Sequence, residues 1–444
     1  MHTIFAPITS SHLGAVSVIR ISGSETSKCL KVLGIKKEPV HQKVSFHKLS
    51  DPNNSELIDE VLVSFFKAPN SFTGEDVAEI SIHASPFILK KISSILTNQK
   101  NVRIAEAGEF SKRAFLNGKI DLVQAEAIPD LIACETESQH KQALKQLQGK
   151  LGKIYENWRF QIISIAALLE AYIDFPDEDL PQNIIDEVEN NVKLLIQEIK
   201  SHLNDQKVGQ KIKDGFSLAI IGAPNVGKSS LINFLSNSEV AIVSEIAGTT
   251  RDVVETHLSI NGIAVKIADT AGIRQTDDLI EKEGIKRAFK KAEESDLKII
   301  VLDSQNPESF NEYKSLIDEK SIILLNKIDL CEKIPNWLTE MKPVTISLTK
   351  KINTSNLIKT LEKKISSLLP DKSFQENSAF ITQERYRTAL QNSVVFLEEF
   401  SLTKNVELAA EDLRMATRQI GKITGRVDIE NILDVIFSSF CIGK

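Results

Sequence analysis

Gly222-Ala223-Pro224-Asn225-Val226-Gly227-Lys228-Ser229 fits the pattern G-x-x-x-x-G-K-S/T. The apolar run Phe216–Ile221 precedes it and a helical pattern opens near Ser230, which is the strand–loop–helix setting that the pattern requires. Glycines there let backbone N–H groups approach a phosphate, and the helix N-terminus adds its dipole. Lys228 is expected at the β- and γ-phosphates and Ser229 Oγ on Mg²⁺.

Three later stretches narrow the ligand. Asp269-Thr270-Ala271-Gly272 follows the strand-like run Ala264–Ala268, placing a carboxylate for the Mg²⁺ shell and a Gly272 N–H for a γ-phosphate. Asn326-Lys327-Ile328-Asp329 follows Ile322–Leu325. The Asp329 carboxylate can accept both the N1–H and the 2-amino group of guanine, a pair that adenine lacks, and a site built around such a pair discriminates strongly. The Lys327 stem can cover the base, and Ser347 is placed for a backbone contact to the guanine oxygen. The expected ligand is GTP or GDP. Small GTPases carry Gln directly after D-x-x-G to orient water, but here that position is Ile273. Glu281 is the candidate replacement; read without family information it is a solvated helix charge sooner than a catalytic group.

Around this unit the pattern changes. Short apolar runs at 216–221, 263–268, 298–302, 321–325 and 343–347 alternate with helical stretches, the mark of a mostly parallel sheet covered by helices. Residues 1–117 read as mixed α/β, with β-rich runs at 16–21, 61–65 and 77–83, and Ala78, Ile80 and Ile82 on one face. From 118 onward Tyr155, Trp158, Ile162, Ile165, Leu169 and Tyr172 recur at alternating spacings of 3 and 4, a buried seam on a long helix that Phe175–Asp179 should stop. A second amphipathic helix fills about 183–205, and Pro129 should kink or break the stretch before. Residues 379–440 are helical again. The expected fold is multidomain, α/β plus α. It has an α/β domain over 1–117, a discontinuous helical domain over 118–213 and 371–444, and an inserted Ras-like P-loop domain over 214–370.

The 444 residues, 42% apolar and 26% charged, exclude a largely disordered or fibrous chain. Lys and Arg number 54 against 60 Asp and Glu, so any RNA must meet a local patch rather than bulk charge. Arg414, Arg418 and Lys422, with Arg426 next, form one such candidate stripe; most stripes of this kind are merely solvated. No segment approaches the ~18 consecutive apolar residues of a membrane span, and the start reads as no signal peptide. Cys29, Cys134, Cys331 and Cys441 lie far apart, which points to neither zinc nor a disulfide framework and fits a reduced, cytoplasmic protein.

Several patterns together resemble the MnmE (TrmE) family of bacterial tRNA-modification GTPases. They are Val18-Ile19-Arg20-Ile21-Ser22-Gly23, Phe72-Thr73-Gly74-Glu75-Asp76-Val77, Ala107-Gly108-Glu109-Phe110 and Arg113 through Lys119. Further along come Ile173 through Asp179, Ile246-Ala247-Gly248-Thr249-Thr250-Arg251-Asp252, Asp269 through Arg274 and the closing Phe440-Cys441-Ile442-Gly443-Lys444. The resemblance implies a folate-binding N-terminal domain that also forms a homodimer, and a helical domain split by the G domain. It also implies a flavoprotein partner, MnmG. Together the two proteins would add a carboxymethylaminomethyl or aminomethyl group to C5 of the wobble uridine of certain tRNAs, from a tetrahydrofolate one-carbon unit. The competing reading is a regulatory GTPase of ribosome assembly related to the Era and Der families. Those carry an RNA-binding module or a second G domain, and this sequence shows neither.

By the same resemblance, 5-formyltetrahydrofolate would meet Arg20, Glu79, Lys119 and Lys444. From the residues alone, two charges inside apolar strands are equally an Arg20–Glu79 salt bridge without a ligand. His83-Ala84-Ser85-Pro86 stands where the family usually has His-Gly-Gly-Pro. GTP contacts are expected from Asn225, Val226, Gly227, Lys228, Ser229 and Ser230, and from Ser244, Glu245, Ile246, Ala247, Gly248, Thr249 and Thr250. Asp269, Thr270, Ala271, Gly272, Asn326, Lys327, Asp329 and Ser347 complete the set. Ser229 and Thr250 would hold Mg²⁺; Asn225, Ser244, Ile246 and Thr249 match the family positions for K⁺. A cation there would neutralise charge between the β- and γ-phosphates, as an Arg finger does elsewhere. Cys441 is either a thiolate nucleophile toward uracil or a small packing residue.

Overall fold

A computed structural model describes residues 2–9, 14–174, 183–238, 256–268, 289–331, 334–369, 379–402 and 406–427, with 433, 436–438, 440 and 443. The chain divides into two compact units. One comprises Met1–Pro129, Leu147–Leu195 and Asn392–Lys444; the other comprises Asp130–Gln146 and Ile196–Gln391.

The first unit is built on a six-stranded sheet of β1 (Thr3–Pro7), β2 (Val16–Ser22), β3 (Val44–Ser50), β4 (Leu57–Phe66), β5 (Val77–His83) and β6 (Val102–Ile104), in the order β3-β4-β5-β2-β1-β6. All pairs are antiparallel except β1 with β6. Period-2 alternation buries Ile19 and Ile21, Val61, Val63 and Phe65, and Ala78, Ile80 and Ile82 on one face, against Leu30, Leu33, Ile92 and Leu96 of two helices. The opposite face therefore carries Arg20 and Glu79, which the register sets side by side. Each fully buried large side chain contributes about 1.5–3 kcal/mol.

In the same unit the long helix Lys150–Asp174 buries Tyr155, Trp158, Ile162, Ile165 and Leu169, the seam read from the spacing. It packs along the helix Val406–Thr424, whose Leu413, Ala416, Ile420 and Ile423 are fully buried. The two are pinned at both ends, by Arg414 Nη2 donating to Glu170 Oε1 at 2.9 Å and by Thr424 Oγ1 donating to Glu156 Oε1 at 2.5 Å. Chain distant in sequence thus closes one helical layer. The expected stripe is engaged from its first member: Arg414 also pairs with Glu411, and Arg426 faces Glu156. Pro129 departs from expectation. The helix Leu122–Ile132 runs through it and ends three residues later, so the lost N–H falls in its last turn rather than in a long helix interior.

The second unit carries a sheet of β7 (Phe216–Ile221), β8 (Thr256–Ile260), β9 (Ile263–Ala268), β10 (Leu297–Asp303), β11 (Ser321–Asn326) and β12 (Val344–Thr345), in the order β12-β11-β10-β7-β9-β8. It is parallel except for β8. The near-continuous apolar strands are buried on both faces, by two separate clusters. Because β7 lies between β10 and β9, the loop leaving β7 emerges where the strand order reverses, the crevice in which open α/β sheets bind ligands. The strand β8 is absent from the expected set; it pairs with β9 through the turn Asn261-Gly262. Also in this unit, Gln146 Oε1 accepts the Thr382 hydroxyl at 2.9 Å, and Arg387 pairs with Asp205 at 2.5 Å with both side chains buried. Among the described residues no helix is long and apolar enough to cross a membrane.

Candidate functional site

The loop after β7 has the backbone that its sequence suggests. Gly222 lies at φ +154, Asn225 at +62 and Gly227 at +106. Gly227 has no room for a side chain: a Cβ would stand 2.4 Å from Asn326 Nδ2. At Gly222 a Cβ would stand 2.3 Å from the Val301 carbonyl. The helix Lys228–Ser236 starts directly after Gly227 with no side-chain cap, so its first amides face the loop. Lys228 Nζ donates to the carbonyls of Gly222 and Ala223 at 2.7 and 2.8 Å, wrapping the loop around its own ammonium. Burial lowers the Lys228 pKa, since removal from water disfavours the cation. Ser229 and Ser230 are exposed at the mouth.

Asn326 ties the parts together. Its Nδ2 donates to the Val226 carbonyl at 2.9 Å, and its Oδ1 accepts the Leu348 amide at 3.3 Å. The phosphate loop, the end of β11 and the segment after Ser347 are thus cross-linked by one buried amide. Lys327, at φ +64, has its ammonium 2.7 Å from Asp303 Oδ2. Asp329 is exposed in the turn Ile328–Leu330, and Ser347 is fully buried, with its Oγ accepting the Lys350 amide at 3.1 Å. The structure therefore gathers Asn225 through Ser230, Asn326, Lys327, Asp329 and Ser347 at one end of the sheet. The expected contacts Ser244, Glu245, Ile246, Ala247, Gly248, Thr249, Thr250, Asp269, Thr270, Ala271, Gly272 and Glu281 lie outside the described residues, as do Cys441 and Lys444.

A second group of candidate residues lies on the other face of the N-terminal sheet. Arg20 Nε and Nη2 donate to Glu79 Oε1 at 2.9 and 2.7 Å. The guanidinium also stands 5.2 Å from the ring centre of Phe72 and 5.5 Å from that of Phe110. Neither side chain is sealed off: Arg20 is 18% and Glu79 28% exposed. Lys119 Nζ donates to the Pro69 carbonyl at 2.9 Å, so one loop, through Pro69 and Phe72, touches both Lys119 and Arg20. Gly443 is brought here as well. It lies at φ +98, and a Cβ would stand 2.3 Å from the carbonyl of Pro7, next to Ala6, the β1 partner of Arg20.

Residue patterns alone did not reveal the scaffold behind this face. Arg113, 5% exposed, bonds Glu75 at 2.9 Å, Glu109 at 2.9 Å and the His2 carbonyl at 2.7 Å, and Arg103 holds Glu109 through two bonds of 2.7 Å. Burial pushes the Glu109 carboxyl up, but the arginine and backbone donors outweigh it and hold the pKa below its usual value. Glu75 also accepts the Ser22 hydroxyl at 2.7 Å. The only sequence signal was charge within motifs already singled out, Thr73-Gly74-Glu75 and Gly108-Glu109, with no hint of which charges pair.

Residues 3–119 match the family model described as the GTP-binding protein TrmE N-terminus, and residues 122–441 match that of the MnmE helical domain. The chain is 46% identical over 449 aligned positions to proteins named tRNA modification GTPase MnmE from Rickettsia bellii and Rickettsia rickettsii, covering 100% of each chain. It is 44% identical, with the same coverage, to that of Rickettsia prowazekii. Among solved structures, the G domain of a T. maritima FeoB iron transporter is similar at 26% identity and a TM-score of 0.26, over 34% of this chain and 97% of that one. With both family models matched and relatives aligned from end to end, the chain belongs to the MnmE (TrmE) family.

Proposed function

We propose that the chain is a GTP hydrolase that drives tRNA modification. Its nucleotide cycle would serve the addition of a carboxymethylaminomethyl or aminomethyl group to C5 of the wobble uridine, jointly with the flavoprotein MnmG. The observation that supports this reading is a pair of separate candidate sites in one chain. One is a phosphate loop cross-linked to a guanine motif through Asn326; the other is a cationic and acidic pair on a sheet face. End-to-end likeness to proteins named tRNA modification GTPase supports the pairing of these sites.

In the nucleotide site the loop amides and Lys228 would hold the phosphates, Ser229 and Thr250 would hold Mg²⁺, and Asp329 would read the base. The glycine-only cradle at Gly222 and Gly227 fits a phosphate chain. Bound Mg²⁺ and K⁺ would supply charge neutralisation at the transferring phosphoryl group. Asn225, exposed at φ +62 in the loop, is the described member of the K⁺ set with Ser244, Ile246 and Thr249. Glu281 would orient the attacking water in place of the Gln that Ile273 replaces.

On the sheet face a tetrahydrofolate derivative would present pterin donors to Glu79 and carboxylates to Arg20, Lys119 and Lys444. The position of Gly443 against Pro7 supports Lys444 as a member. The reading includes a homodimer through residues 1–117, a helical domain over 118–213 and 371–444, an inserted G domain over 214–370, and a cytoplasmic setting. The experiment is a mass spectrum of tRNA nucleosides from a strain lacking the gene, with and without this chain. Restored wobble-uridine modification is expected. Normal uridines beside a ribosome-subunit defect would favour the Era and Der reading instead.

A further inference from the structure

Asp303 ends β10 in register with Asn326 at the end of β11. Its two carboxylate oxygens are divided between two tasks. Oδ1 accepts the Gln305 amide at 3.0 Å, which locks the turn, and Oδ2 meets the Lys327 ammonium at 2.7 Å. The next residue supports the same peptide: Ser304 donates its hydroxyl to the Lys327 carbonyl at 2.7 Å and its amide to the Asn326 carbonyl at 3.0 Å. Lys327 adopts φ +64, a backbone region that a lysine rarely occupies and that surrounding bonds must hold. Both side chains are half-sheltered, Lys327 at 31% and Asp303 at 18% exposed, so the ion pair is less screened than one in open water.

We infer that Asp303 is a positioning residue for guanine recognition. It fixes one end of the Lys327 side chain, so that the alkyl stem is ordered before a base arrives and the ordering entropy of a long, flexible side chain is not charged to binding. The inference rests on the reading of Asn326 through Asp329 as the base site. It predicts an effect on nucleotide affinity and none on the turnover of bound nucleotide, because the pair lies on the base motif and not at the phosphate loop.

The test is a double-mutant cycle in the full chain, titrating a fluorescent GDP and measuring GTPase turnover at saturating GTP. Asp303→Ala should weaken GDP binding roughly three- to tenfold, as expected when a partly buried charge pair that orders one side chain is lost. The kcat should hold, and Asp303→Asn, which keeps an acceptor, should recover part of the affinity. In a Lys327→Ala background, Asp303→Ala should cost nothing further. An undiminished loss in that background, or unchanged affinity in Asp303→Ala alone, would overturn the role of Asp303. A Lys327→Ala protein with wild-type affinity would instead sink the base-site reading itself. If Asp303→Ala does not fold, Asp303→Asn carries the cycle with a smaller loss of affinity, which should likewise vanish in the Lys327→Ala background.

Discussion

Arg20 and Glu79 face each other in register across β2 and β5, and the guanidinium directs both Nε and Nη2 at a single carboxylate oxygen, Oε1. No described residue donates to the other oxygen. Both side chains keep part of their surface exposed, so a ligand's polar groups can reach the pair. Arg20→Ala or Glu79→Ala should therefore abolish binding of 5-formyltetrahydrofolate and leave GTP affinity intact. Calorimetric titration of both variants decides it, and undiminished folate affinity in both would leave a plain salt bridge.

Asp329→Asn should weaken GTP binding by about 1.5–3 kcal/mol, the worth of a charge-assisted hydrogen bond. The same variant should accept xanthosine triphosphate, whose carbonyl replaces the 2-amino donor of guanine and suits an amide. Competition binding with the two nucleotides reads the switch. Wild-type GTP affinity in the variant would remove Asp329 from the base site.

Replacing K⁺ by Na⁺ should lower kcat steeply while GTP still binds, since the smaller ion fits the proposed Asn225, Ser244, Ile246 and Thr249 shell poorly. A K⁺ ion held there would also close the surrounding loop and offer a surface on which two G domains pair; Glu281→Ala should lower kcat and preserve that pairing, because Glu281 acts on water and not on the cation. Steady-state rates of the full chain, alongside sedimentation with a transition-state mimic, separate the two ideas. Equal rates in the two salts would end the first, and a wild-type kcat in Glu281→Ala the second.

Burial drives the His202 imidazole from the ordinary 6.5 down to about 4, with Asp205 opposing the shift and Arg387 adding to it. Between those values the unfolded chain binds a proton that the folded chain refuses, so acid favours unfolding. The stability that His202 contributes is complete above about pH 6.5 and is lost as pH falls toward 4, by up to about 3 kcal/mol. His202→Gln should flatten the pH dependence over that window. Urea unfolding at pH 7 and pH 5 measures it; an equally steep loss in the variant would place the effect elsewhere.

The nucleotide end of the second unit was legible because its chemistry is local: a phosphate loop and a base motif are each read within eight consecutive residues, and buried parallel strands announce themselves as apolar runs. The seam from Tyr155 to Leu169 was legible for the same reason, a period that one helix fixes by itself. The strand β8 was missed although a signal existed. Asn261-Gly262, both at positive φ, joins Ile260 to Ile263 as a two-residue hairpin turn, and Leu258 and Ile260 alternate inward before it. Asp303 carried no such signal. Its meaning depends on which strand lies beside β10, and pairing across a parallel sheet is not written in either strand. The same holds for Arg113, whose partners at His2 and Glu75 are distant in the chain and meet only through the sheet order.

The closeness of Gly443 to the carbonyl of Pro7 also bears on how the protein is made. During synthesis Gly443 is made more than four hundred residues after β1. β1 and the Arg20-bearing β2 follow one another closely and can pair early, whereas the contact with Gly443 waits until that residue has been made. So long a closure is slow to form. A chain cut short ahead of Gly443 would thus lack this contact at β1 while keeping all of β7 through β12.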